Sequence, residues 1–511
     1  MLLSRRTFLA TPMILAALPA TAQKSRNTLK AAFNRTVRTL DGNYSNWRES
    51  DILGLLTDDA LYAVDPETGR AVPLAARGHR FVSPTTLDIE LRDDVRFHDG
   101  SPMTPEDVVY TYTFLINEKS KNNYLTRFAT WIERVEKTGP LTVRFHMKRP
   151  NVMALYDFAM YSKVRKAGVY DDASKPDGIN AEAQTLQLNG SGPYRVTQFR
   201  PGQMLRLERV ANYRAGGPKG SPAIQTIEFR VIPDWSTQVS EVISGGLHWT
   251  YGVPEEIAAG AAATGQVKLL SGPSMRTFYV GLDATGKAPG AAPLADKRVR
   301  QALNHATDRE GIVRNLIKGN SRVLDTPCDT VQFGCDKSAA VHYAYDPTKA
   351  RALLAEAGAT DVAFEFWTER DRPLVEAILA QWNAVGVKST MRFVQAANIS
   401  QARRDGKIAA EFASAGSFGI PDAGAIIPDR LGPTGRNFTG DEELKKTVVA
   451  AVSTYDEAER KQHFSAAIRL ATENAYWVPL WTDGQIFVMS PELEYTQPPD
   501  GMQRLYFARW R

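Results

Sequence analysis

Apolar and polar residues alternate along Leu87-Asp88-Ile89-Glu90-Leu91 and again along Leu141–Met147. A period of two predicts half-buried strands. Between them stands Thr104-Pro105-Glu106-Asp107. Thr suits an N-cap, Pro suits the first helical position, and two acids favour the positive end of the dipole. A helix is expected from there, with Val108, Tyr112, Leu115 and Ile116 on one face. Tyr194-Arg195-Val196 and Met204–Leu207 flank Pro201-Gly202, which predicts a type II turn and a hairpin. Ile227–Val231 alternates as another strand. Beyond residue 295 the texture becomes helical. Asp346-Pro347 opens a helix that Gly358 closes, with Ala350, Leu353, Leu354 and Ala357 as its apolar stripe. A strand at Val362–Trp367, a helix at about Leu374–Val385 carrying Ile378, Leu379 and Trp382, and a strand near Ser389–Val394 make a β-α-β unit with a partly parallel sheet. Two helices are expected at about Glu442–Ser453 and Glu457–Thr472, and extended chain from Tyr476.

The pattern divides the chain into a strand-rich first half, to about residue 275, and an α/β second half. The final 30 or so residues return to the texture of the first half, so the chain is expected to cross back. For 511 residues, 43% apolar and 23% charged is ordinary globular composition. It excludes disordered, collagenous and disulfide-dense classes. No apolar run approaches the roughly 18 residues of a membrane helix. The net charge of +5 has no basic tail or stripe behind it; the longest basic runs are pairs such as Arg403-Arg404. A nucleic-acid partner is therefore not expected.

The first 22 residues read as an address. Ser4-Arg5-Arg6-Thr7-Phe8-Leu9 precedes a short apolar stretch and Ala20-Thr21-Ala22, an A-x-A cleavage signal. Arg5 and Arg6 before Phe-Leu resemble a twin-arginine leader, which predicts export of a folded protein and a mature chain starting at Gln23. Loss of Arg5 and Arg6 lowers the net charge to +3.

The two cysteines, Cys328 and Cys335, are close in sequence. In an exported protein they are expected to form a disulfide that clips a loop. A metal site would need further ligands, with His342 the near candidate. Catalytic motifs are missing: no zinc helix, nucleophile elbow, Walker loop or dinucleotide fingerprint occurs. His98 before Asp99-Gly100 fits a turn. Trp367, at a strand end beside Thr368-Glu369-Arg370-Asp371-Arg372, lies where ligands bind in α/β sheets.

Several segments together resemble one family. Leu91-Arg92-Asp93-Asp94-Val95-Arg96-Phe97-His98-Asp99-Gly100-Ser101-Pro102-Met103-Thr104-Pro105-Glu106-Asp107-Val108 resembles the signature of the large peptide/nickel-type (family 5) solute-binding proteins of ABC importers. Gly190-Ser191-Gly192-Pro193-Tyr194, Ala295–Leu303 with Asp308-Arg309-Glu310, and Tyr345-Asp346-Pro347 to Gly358 are similar to its further segments, in the expected order. The resemblance implies an α/β, class II-like periplasmic-binding fold of two lobes. Lobe I spans 23–275, with a subdomain at roughly 76–185. Lobe II spans 276–478, and 479–511 returns to lobe I. Strands near 270–280 and 478–485 join the lobes, and a hinge closes the cleft over a solute.

The resemblance also implies a carrier without catalysis, cofactor or metal: a monomer in the periplasm that passes a small polar solute, peptide-like or opine-like, to an ABC permease. In peptide binders an Asp holds the ligand's amine. Here that stretch reads Ser417-Phe418-Gly419-Ile420-Pro421-Asp422, with Gly419 at the Asp position. The ligand-contacting candidates are Trp367, Arg370, Arg372, Phe418, Asp422, Tyr279 and Asp283. Arg372 stands near the position of a carboxylate-binding Arg. An oligosaccharide or metal chelate on the same fold, an exported enzyme, and a structural or receptor-interaction protein are the alternatives.

Overall fold

The computed structural model describes residues 27–511, except 46, 215, 360, 418, 434–436 and 499. The leader, with Arg5, Arg6, Ala20 and Ala22, lies outside the described residues, as does Phe418.

One ten-stranded sheet runs through the molecule. Its order is Val387–Phe393, Val362–Thr368, Ala410–Gly416, Lys268–Leu282, Trp477–Met489, Trp249–Tyr251, Thr28–Phe33, Thr226–Val231, Met204–Arg209 and Tyr194–Arg200. The first three strands and the helices around them form one lobe; the last five form the other. The two long central strands, Lys268–Leu282 and Trp477–Met489, pair with each other and belong to both. This is the two-lobed periplasmic-binding fold; Trp477–Met489 pairs with Lys268–Leu282 and, at its far end, with Trp249–Tyr251. The expected β-α-β unit is present: Val362–Thr368 and Val387–Phe393 are parallel, joined by the helix Arg372–Ala384 with Trp382 fully buried against Phe364 and Phe366.

A separate four-stranded antiparallel sheet, Ala76–Ser83, Thr86–Leu91, Thr142–Met147 and Ile132–Lys137, packs against the helix Pro105–Leu115. That helix starts as the sequence predicts, and Thr104 and Asp107 close a capping box around its first turn. The Asp99 carboxylate caps the turn, accepting from the Ser101 amide at 2.9 Å. The His98 ring turns away from this Asp: its Nε2 meets the Gly192 carbonyl at 3.0 Å. Gly192 itself lies so close to the chain at Leu56–Asp58 that a Cβ would come within 2.5 Å of the Asp58 amide. The Gly-Ser-Gly-Pro segment is thus a close-packing device.

The largest core runs from this sheet (Leu87, Phe145) and the helix Ala154–Met160 (Phe158) through Ile420 and Ile427 to Leu444, Phe464 and Trp477. The lobes therefore also touch away from the shared strands. The Val152 amide donates to Val452 O at 3.2 Å, and the Tyr455 hydroxyl to Pro84 O at 3.1 Å.

Candidate functional site

The two long strands do not pair evenly. Their ladder runs from Lys268↔Met489 to Pro273↔Gly484, slips, and resumes at Thr277↔Thr482. The slip holds Ser274, Met275 and Arg276 against Asp483. Met275 takes a left-handed φ of 50°, uncommon for a non-glycine residue. The Ser274 hydroxyl donates to Asp483 O at 3.1 Å. An irregularity of this kind re-aims a side chain out of the ladder, and here that side chain is Arg276.

Arg276 Nη1 donates to Ser414 Oγ at 3.0 Å, and Arg370 Nη1 donates to the same hydroxyl at 3.3 Å. Two guanidinium groups thus converge on one neutral oxygen. Arg370 has the Glu369 carboxylate at 3.0 Å. Among the described residues no carboxylate forms an ion pair with Arg276. Burial lowers the Arg276 pKa to about 10, and the nearby charges of Arg48, Arg370 and Arg35 push it the same way, against Asp483. Burial also raises the Asp483 carboxyl, opposed by Arg276, Arg48 and Arg370. Arg35 and Arg38 flank the exposed Trp47 ring at 5.9 and 6.0 Å. The surroundings of Arg276 thus draw on lobe I (Arg35, Arg48), the shared strands (Arg276, Asp483) and lobe II (Arg370, Ser414).

Of the residues singled out from sequence, Arg370 meets Arg276 on the Ser414 hydroxyl, and Tyr279 lies three residues beyond Arg276 on the same strand. Tyr279 stacks on Trp477 with centroids 3.7 Å apart and lies under the Arg430 guanidinium at 5.8 Å. Burial raises its hydroxyl to about 12. The other described candidates are engaged elsewhere. Asp283 serves its own turn, accepting from the Thr285 amide at 3.0 Å and the Ala288 amide at 2.8 Å. Asp422 accepts from Arg460 Nη2 at 3.1 Å on both oxygens and caps the Gly424 amide. Trp367 is buried among Ile399, Ala402 and Ile408, with Arg392 over its ring. Arg372 stands in solvent beside Glu376 and Phe393.

Arg276, Ser414, Asp483 and Arg48 were not singled out from sequence. A signal existed for Arg276: Gly272-Pro273-Ser274 interrupts an otherwise strand-like run, and a lone Arg follows it. Cys328 and Cys335 are joined in a disulfide. His342 faces Asp325 at 3.1 Å instead. Among the described residues no group of three or more potential metal ligands occurs, and no helix is long and apolar enough to cross a membrane.

The chain is 26% identical to the oligopeptide-binding protein AppA of Bacillus subtilis over 275 residues, 54% of this chain and 49% of that protein. Over 508 residues it is 24% identical to the glutathione-binding protein GsiB of Salmonella typhimurium, covering 94% of this chain and 93% of the relative. Among solved structures, AgaA of A. tumefaciens R10 in complex with agropinic acid superimposes with a TM-score of 0.80 at 19% identity, over 95% of this chain and 99% of that one. The model of the bacterial extracellular solute-binding proteins, family 5 (middle region), matches residues 72–437. With the two-lobed fold and its strand-joined cleft, that match places the chain in family 5 of the bacterial extracellular solute-binding proteins.

Proposed function

We propose that this protein is the periplasmic receptor of an ABC importer, and that it captures a small solute bearing at least one carboxylate in the cleft beside Arg276. The observation that carries this reading is the pair of guanidinium groups on Ser414. Arg276 is partly buried and no carboxylate closes an ion pair with it among the described residues, so an anionic solute would supply the missing partner. A guanidinium meets a carboxylate through two parallel hydrogen bonds, so Arg276 and Arg370 suit this group better than a sugar hydroxyl. Peptides, glutathione and agropinic acid, after which the relatives are named or with which they were solved, all carry carboxylates. Solute binding favours the closed state through contacts that only closure completes.

In this reading lobe I spans 23–275 with its subdomain at roughly 76–185, lobe II spans 276–478, and 479–511 returns. The twin-arginine leader delivers the folded chain to the periplasm, where it acts as a monomer without catalysis. A thermal-shift screen over glutathione, Met-Leu, agropinic acid, Fe(III)-EDTA and maltose tests it. A concentration-dependent rise of Tm is expected with a carboxylate-bearing compound and none with maltose. A response to maltose alone sinks the proposal.

A further inference from the structure

Ser414 Oγ accepts two charge-assisted hydrogen bonds, from Arg276 Nη1 at 3.0 Å and from Arg370 Nη1 at 3.3 Å. A hydroxyl offers two acceptor lone pairs and one proton. Both lone pairs are taken, so the proton is the part left to bond. Among the described residues Ser414 Oγ donates to no acceptor. Two cations on its oxygen polarise the hydroxyl and make that proton a stronger donor than an ordinary serine's.

The strand pairing explains how Arg276 comes to rest there. Ala410–Gly416 runs antiparallel to Lys268–Leu282, with Gly416 opposite Arg276 and Ser414 opposite Phe278. Side chains two apart on a strand share a face, so Ser414 and position 416 lie on the same side. A glycine inside a strand leaves room for a close approach. Here the guanidinium takes that room: a Cβ on Gly416 would come within 3.3 Å of Arg276 Nη2 and 3.4 Å of its Cζ. Arg276 thus reaches past position 416 to Ser414 with one nitrogen. Its Nε and Nη2 carry no hydrogen bond among the described residues. Arg276, Arg370 and Ser414 are each half-buried, so a solute can reach all three.

We infer that the Ser414 hydroxyl is itself a solute contact, donating its proton to the carboxylate that Arg276 and Arg370 attract, and that Gly416 is the positioning residue that lets Arg276 lie beside it. The inference rests on the carboxylate reading above and adds a neutral donor to the two charged ones. The competing role is a tether. A serine that only occupied the two guanidinium groups would compete with the solute, and its removal would free both cations and raise the affinity for an anion.

Titration calorimetry with acid and amide probes separates these roles by sign. The pairs are Met-Leu and its C-terminal amide, and glutathione and its glycyl amide; amidation removes one carboxylate and keeps the rest. The wild type is expected to prefer the acid of a pair by about ten-fold or more. Ser414→Ala is expected to cut that preference by about ten-fold, the worth of one hydrogen bond to a charged group, with affinity for the amide unchanged. Ser414→Thr, which keeps the hydroxyl, should retain most of it. Gly416→Ala should lower it with Ser414 in place, because the added methyl displaces the guanidinium. An acid preference that is unchanged or larger in Ser414→Ala overturns the inference, as does an equal loss of both affinities, the mark of a merely structural serine. Either result leaves the carboxylate reading standing where Arg276→Met still abolishes the preference. An unchanged preference in Gly416→Ala overturns the part assigned to Gly416. Wild type that binds acid and amide alike, or binds neither, removes the carboxylate reading and this inference together.

Discussion

Met502 fills the space into which any side chain on Gly419 would project. The two residues come from opposite directions: Gly419 follows the lobe II strand Ala410–Gly416, and Met502 lies on the returning C-terminal segment. Gly419 also has a φ of 80°, in the left-handed region where a Cβ costs about 1–2 kcal/mol. Gly419→Asp is therefore expected to lower Tm and to leave the affinity for free-amine peptides no better than wild type. Calorimetry and thermal unfolding check this; a variant with wild-type Tm and improved peptide binding would contradict the packing argument.

Arg276→Met is expected to weaken binding of a carboxylate solute by about 1.5–3 kcal/mol, the range for a charged hydrogen bond. Ligand-free stability should hold or rise, because the variant removes a partly buried cation whose neighbours include the like charges Arg48, Arg370 and Arg35. Arg370→Met, with Glu369 left unpaired, should weaken binding without that gain. Side-by-side unfolding of the two ligand-free variants reads the difference.

Burial pushes the Asp51 carboxyl up to about 6, against Arg48, Lys163 and Arg276 and with help from Glu49. The folded-state pKa stands above the ordinary value of 3.8. Between about pH 4 and 6 the folded state therefore keeps a proton that the unfolded chain has released, and this contribution to stability is lost as pH rises through that window. Asp51→Asn should stabilise the ligand-free protein at pH 7 by about 1–3 kcal/mol and hardly at all at pH 4. Denaturation midpoints at the two pH values check the sign.

Arg165 ties the segment after the helix Ala154–Met160 to lobe I. It is fully buried, with Nη2 3.0 Å from Asp41 Oδ1 and Nη1 against Asp58, while the Tyr170 hydroxyl donates to Asp41 Oδ2 at 2.6 Å. Arg165→Met strands two buried carboxylates and should cost about 3–5 kcal/mol. Asp41→Asn in the same background should recover part of that loss, measured by urea unfolding.

The elements were legible where one local signal decided them. Thr104-Pro105 and Asp346-Pro347 open helices, and Pro201-Gly202 turns a hairpin, with Gly202 at a φ of 74°. Their caps and turns act within a few residues, which is the range over which sequence spacing speaks. The cleft was legible only in part. Arg276, Arg370, Arg48 and Ser414 come from remote segments, and periodicity tells whether a residue is buried but not which lobe faces it. The helix Arg48–Thr57 was not singled out, because Glu49-Ser50 reads as polar surface although both residues are buried. Asp422 and Asp283 illustrate the converse: a family-like position is kept by an internal contact, with Arg460 or with the local turn.

The slipped ladder between Pro273 and Thr277 also fixes a lever. Because the two long strands stay paired on both sides of the slip, a rotation of one lobe against the other would concentrate there, and a group at the pivot would travel little. Under the proposed function Arg276 would then meet a carboxylate in the open and closed arrangements with nearly equal strength. Such a contact would set how tightly the solute first docks and leave the open-closed balance unmoved. Groups borne farther out on either arm would change position most, and closure would draw its driving force from them.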